Sequence, residues 1–322
     1  MNKRTDTCAR PLRVFLAGVL FLTLAGIVLR TLNLVFFYDS DIGYYSNDAI
    51  LPLVMNIFML ITFAAIGICS AILPKKPYMT TGRENNIALK LIGALCALAF
   101  LGAALCALLG FVEPVTNKTY IFIVAALAST LYFLLGALGK SDETRALFLI
   151  PLVVSIVYIL AISYFDVFVQ MNSPNKVLLQ IACLVSMLFF VYEARCITGE
   201  LKKKLYLFSL ACAVFFSGTA SVPSLIAYFS GKMGNYFVSI NYIVFDAIFA
   251  VLFLYFTARL ITMMVSADRV DDAENEEIDP AEYDSIYAEV EEESDTAEDT
   301  EIEAETEAVS DADTDTDETL PE

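Results

Sequence analysis

The stretch Leu205-Tyr-Leu-Phe-Ser-Leu-Ala-Cys-Ala-Val-Phe-Phe-Ser-Gly-Thr-Ala-Ser-Val-Pro-Ser-Leu-Ile-Ala-Tyr-Phe229 contains no charged residue. Wound as an α-helix it is about 37 Å long, more than the roughly 30 Å hydrocarbon core of a bilayer. In lipid every backbone N–H and C=O needs an internal partner, which a helix supplies and an isolated strand does not. The stretch is therefore read as a transmembrane helix. Its middle, Ser217–Ser224, is the most polar part of any long apolar segment in the chain.

Seven other stretches pass the same test of length. The eight spans lie near 12–37, 50–73, 87–112, 120–138, 146–164, 177–198, 205–229 and 237–264. Hydrophobic residues make up 58% of the chain, far above the soluble norm. The predicted fold is an all-α polytopic integral membrane protein, with about eight transmembrane helices bundled over residues 12–266. Residues 1–11 form a short cytoplasmic segment. Residues 267–322 form a disordered acidic cytoplasmic tail. The first span is too long for a signal-peptide core and reads as a retained anchor.

The net charge of −18 conceals two opposite halves. Residues 268–322 carry 26 acids against one base, Arg269, whereas residues 1–267 carry 12 acids against 19 bases, a net +7. So acid-rich a tail buries too little apolar surface to offset the entropy of ordering. Lys3, Arg4, Arg10 and Arg13 precede the first span, Lys75, Lys76 and Arg83 follow the second, Lys140 and Arg145 the fourth, and Arg195 with Lys202–Lys204 the sixth. The alternate loops are poor in bases, with Lys118, Lys176 and Lys232 single in theirs. That bias places both termini in the cytoplasm, and the short outer loops without a disulfide framework predict a plasma-membrane location. Phe36-Phe37-Tyr38, Tyr164-Phe165, Tyr228-Phe229 and Tyr236-Phe237 then form the outer aromatic belt.

Composition also narrows the chemistry. The chain has no histidine, so Ser-His and Cys-His couples and imidazole metal sites are excluded. Its seven cysteines show no framework spacing and read as small packing residues. No cofactor, metal site or nucleic-acid partner is indicated, and the chain is not expected to be an enzyme. In the third span, Gly102, Cys106 and Gly110, with Ala99, Ala103 and Ala107, repeat at four-residue spacing, which predicts a central, closely packed helix.

Polar groups at membrane depth are costly and mark candidate sites. Arg30, Asn56, Asp246 and Thr219–Ser221 all fall roughly 9–15 Å inside the outer ends of their spans. Asn33 follows Arg30 on the same helix face. Pro223 cannot donate to the Thr219 carbonyl. These residues, with Ser217, predict a polar pocket between the first, second, seventh and eighth spans. Its oxygens suit a hard cation or a proton, while Arg30 suits an anionic solute with Asp246 as resting counter-ion. The competing expectation is structural: Ser217, Ser221 and Ser224 fall in a small-residue row, hydroxyls bond back to their own turn, and Arg30–Asp246 is a buried pair. Glu193, with Arg195 and Lys202–Lys204, reads as a topology-setting charge at the cytoplasmic interface.

In the tail, Glu282-Tyr-Asp-Ser-Ile-Tyr-Ala-Glu-Val290 stands out for its aromatic and branched residues. Tyr283, Ile286, Tyr287 and Val290 form a candidate docking motif for a cytosolic protein. Asp311, Asp313, Asp315 and Glu322 match calcium-loop spacing, but Thr316 replaces the required glycine, which rejects that match. Two functions are expected from the sequence: a non-enzymatic membrane scaffold or sensor working through its tail, or a small-solute or ion transporter with a polar site in the outer half of the bilayer.

Overall fold

The computed structural model describes residues 9–39, 44–46, 50–73, 86–112, 116–139, 142–166, 169, 173–197, 202–232 and 240–275. Its elements are α1 (Ala9–Phe36), β1 (Tyr38–Asp39), β2 (Tyr44–Tyr45), α2 (Ile50–Ile72), α3 (Ile87–Leu108), α4 (Asn117–Ala137), α5 (Asp142–Ala146), α6 (Leu149–Phe165), α7 (Pro174–Ile197), α8 (Lys203–Phe229) and α9 (Ile240–Asn275). Among the described residues, eight segments are long and apolar enough to cross a membrane: seven within α1–α4 and α7–α9, and one, Thr144–Phe165, running through α5 and α6. The protein is an all-α polytopic membrane bundle. Its contacts divide the chain into Met1–Asp271, which holds the bundle, and Asp272–Glu322, of which the last turn of α9 is described.

Helix ends follow local chemistry. Asn86 caps α3 by accepting from the Ala88 amide at 3.0 Å. Thr116 and Thr119 close a capping box on α4. At the far end of α3, Gly110 turns to φ 76°, its amide reaches Ala107 O, and Phe111 N reaches Cys106 O. That is a Schellman stop, and glycine is the residue that takes the left-handed turn without strain. Gly231 ends α8 in the same way.

Packing runs α3–α4–α6–α7–α8–α1–α2, and α2 also returns to α8. Helix α9 packs against α3, α4 and α7 of this row. Cys96 of α3 donates to Val251 O, Phe133 of α4 meets Tyr255 edge-on at 5.2 Å, and Phe189 of α7 meets Phe256 at 5.0 Å. The most enclosed span is α8, with 83% of its apolar window buried against 39% for α3. The expectation that α3 is the central helix is therefore corrected. Ala103 and Ala107 do face inward, but a Cβ built at Gly102 meets nothing within 4 Å. Close helix approach is made instead at α8. A Cβ on Gly26 of α1 would stand 2.7 Å from Thr219 Cγ2, and one on Gly218 would stand 2.8 Å from the Phe253 ring.

The hairpin β1–β2 pairs Tyr38 with Tyr45 and Asp39 with Tyr44. Two-residue strands leave too short a pattern to be read from sequence, and residues 38–49 were expected to be loop. Helix α9 also continues beyond the apolar limit at 264, since a helix needs apolar residues only where it meets lipid or core.

Candidate functional site

At the hairpin end of the bundle, α1 contributes Arg30 and Asn33 one turn apart, both buried. Arg30 Nη2 donates to Asn175 Oδ1 at 2.5 Å, joining α1 to the first turn of α7. Asn33 Nδ2 reaches the Leu51 carbonyl in α2 at 3.5 Å. Asp246 of α9 is 5% exposed, and its charge is felt by Arg30, Cys183 and Tyr242. Arg30 and Asp246 do not touch, since no ion pair within 4.0 Å joins them. The expected direct pair is thus corrected: the guanidinium's contact partner is Asn175, which sequence reading missed.

Above this layer sit the hairpin tyrosines, Tyr38 and Tyr45, with ring centroids 5.7 Å apart and edge to face. Burial pushes the Tyr38 phenol up to about 12, although nearby Ser173, Asn175 and Arg30 pull the other way. Burial likewise raises Tyr45, opposed by the Arg30 charge. Both tyrosines thus lie near enough to Arg30 to feel its charge, and Tyr38 lies beside Ser173 and Asn175 at the start of α7. A second knot closes the same end: Lys176 Nζ donates to Asp166 O at 2.7 Å and Val169 O at 3.2 Å, and Tyr242 Oη donates to Asp166 Oδ2 at 2.7 Å. Lys176, isolated in sequence, is held by backbone carbonyls.

Several atoms in the layer have unused hydrogen-bonding capacity. Arg30 Nε and Asn33 Oδ1 are buried without a hydrogen bond. Asn175 Nδ2 has the Tyr38 hydroxyl nearby but makes no hydrogen bond of proper geometry. The Asp246 carboxylate has neither a hydrogen bond nor an ion pair among the described residues. Buried polar groups are nearly always paired, so three side chains with a buried unpaired atom at one end of the bundle are unusual.

The remaining predicted members do not join them. Asn56 lies on the exposed face of α2. The hydroxyls of Ser217, Thr219 and Ser221 each turn back onto their own helix: Ser217 to Ala213 O, Thr219 to Phe215 O at 2.7 Å and Ser221 to Ser217 O at 2.7 Å. Their sequence pattern, small and polar at helical spacing, fits close packing as well as a ligand cage, and here it serves packing. An oxygen cage of hydroxyls for a hard cation is not assembled. Tyr283, Ile286, Tyr287, Val290 and the calcium-like run lie outside the described residues.

The opposite end of the bundle holds a cluster that sequence reading largely missed. Arg259 Nη2 meets Glu193 Oε1 at 2.5 Å and Tyr206 Oη at 3.3 Å, and Tyr206 Oη donates to Glu193 Oε2 at 2.8 Å. All three residues are buried. Arg145 lies over the Tyr132 ring at 4.9 Å, close enough for its charge to reach the pair. Glu193 is therefore paired inside the bundle rather than standing exposed near the end of its span. The available signal was the lone acid of the sixth span facing the lone base of the eighth.

No known protein family, curated protein or solved structure matches the chain.

Proposed function

We propose that this multi-pass membrane protein binds a small polar solute at the hairpin end of its bundle, for transport or for sensing. One observation carries the reading: Arg30, Asn33 and Asn175 are buried with hydrogen-bonding capacity unspent, and Asp246 is buried within reach of the Arg30 charge. Polar groups left unpaired away from water each cost about 1–3 kcal/mol, and a ligand that satisfies them recovers that cost. The reading assigns no catalytic step. The lysine and arginine bias favours both termini in the cytoplasm, which turns the hairpin end outward.

The test is a thermal-unfolding screen of the full chain in detergent against small polar solutes, repeated on Arg30→Gln. A solute that raises the melting temperature of the native protein and not of the variant supports the site. Failure of every solute to stabilise the native protein overturns it.

A second reading rests on the net −25 of residues 268–322. The tail recruits a basic cytosolic protein, with Tyr283, Ile286, Tyr287 and Val290 as the apolar anchor, and the bundle is a scaffold or sensor. The two readings separate by genetics. A scaffold tolerates Asp246→Asn and fails without residues 272–322, and a solute protein does the reverse.

A further inference from the structure

We propose that two copies of this chain associate in the membrane through α2, with their Asn56 side chains hydrogen-bonded to each other across a two-fold axis. The inference is independent of the solute-binding reading above. Asn56 lies about 9 Å along the axis of α2 from Ile50. Leu53 and Leu60, one turn to either side, are 60% and 69% exposed. Asn56 is itself exposed, and its carboxamide has no hydrogen bond among the described residues. An amide on a lipid-facing surface at that depth finds no water to pair with, so its donor and acceptor call for a partner outside the chain.

The chemistry of that partner follows from the amide. A carboxamide carries both an acceptor oxygen and an NH2 donor, so two of them facing one another bond reciprocally. Every copy inserted with the same topology holds Asn56 at the same depth, and a two-fold axis along the membrane normal brings a residue opposite itself. The surrounding surface fits the same occupant. Of the eight spans among the described residues, α2 is the least covered, with 22% of its apolar window buried against 83% for α8. Ala64 and Ala71 continue the exposed face of Leu53, Asn56 and Leu60 at helical spacing, and small residues there let two α2 backbones stay close along their length. Helices in lipid have no hydrophobic drive to associate, and an interhelical amide bond with small-residue packing supplies the attraction instead.

The experiment uses the full chain in membranes. A benzophenone photo-crosslinker is placed at Leu60, and in a control at Leu98 of α3, which is 64% exposed and at the other end of the helix row. Irradiation should give a covalent dimer from position 60 and none from position 98. Adding Asn56→Leu should remove that product, whereas Asn56→Gln, which keeps the amide, should retain it. In lipid vesicles, energy transfer between labelled copies at graded dilution should give an apparent dissociation constant that rises about 3–30-fold with Asn56→Leu. Ala64→Phe, which adds bulk to the same face and leaves the amide in place, should also weaken association. If position 60 yields no dimer, the proposal is overturned. An adduct with a different protein in place of the dimer overturns the second copy as the occupant. A dimer that Asn56→Leu leaves at full strength overturns the amide contact.

Discussion

Arg30 is the residue on which the hairpin-end layer turns. A hydrogen bond from a charged donor contributes about 1.5–3 kcal/mol, so Arg30→Ala and Asn175→Ala should show losses that fall short of additive by that order in a double-mutant cycle. Coupling between Arg30 and Asp246 acts only at a distance and should be smaller. Equal couplings in a reversible unfolding assay would contradict the observed geometry. Tyr38 supplies a pH test. The folded protein holds its phenolic proton more tightly than the ordinary 10.0, up to about 12. The stability contributed by the neutral phenol is therefore complete below pH 10 and is lost as pH rises through about 12. Tyr38→Phe should remove that alkaline loss, measured as melting temperature from pH 9 to 12. At the other end, Arg259→Ala strands Glu193 and should cost about 3–5 kcal/mol, while adding Glu193→Ala should recover part of the loss. A double variant less stable than Arg259→Ala would rule out the pair as the source of the cost.

Among the elements, α8 sets the spacing of its neighbours. Gly26 and Gly218 stand where a Cβ would press on Thr219 and on the Phe253 ring at 2.7 and 2.8 Å. The Thr219 methyl and the Phe253 ring are enclosed by packed helices, so Gly26→Ala and Gly218→Ala should each destabilise by about 1–3 kcal/mol. Gly18 has open space around it, and Gly18→Ala should be neutral or stabilise by up to about 1 kcal/mol. Thermal unfolding of the three variants checks the ordering. The hydroxyl row of α8 teaches a related point. Serine and threonine at helical spacing look the same in sequence whether they line a cage or fold back on their own carbonyls. Only the side-chain torsions distinguish the two, and neighbouring helices choose them.

For the whole molecule, the bundle and the tail obey different physics. The bundle is organised by lipid and packing, whereas residues 272–322 are dominated by acids. Deleting 272–322 should leave the melting temperature of the bundle unchanged in detergent. A marked drop would show that the acidic stretch contributes to its stability.

The class of fold and the number of spans were legible in the amino-acid sequence, because membrane crossing is a demand on length and hydropathy that each segment meets alone. The sequence also picked out Arg30, Asn33 and Asp246, since a charge or amide inside an apolar run is conspicuous without any partner. Tertiary structure alone decided which polar groups meet. It joined Arg30 to Asn175 rather than to Asp246, turned Asn56 away, and brought Glu193 to Arg259 across 66 residues. It also made α8 rather than α3 the enclosed helix. Those outcomes depend on the rotation of each helix about its axis and on the order of neighbours. Both are fixed by packing between helices distant in sequence, and no single segment carries that information.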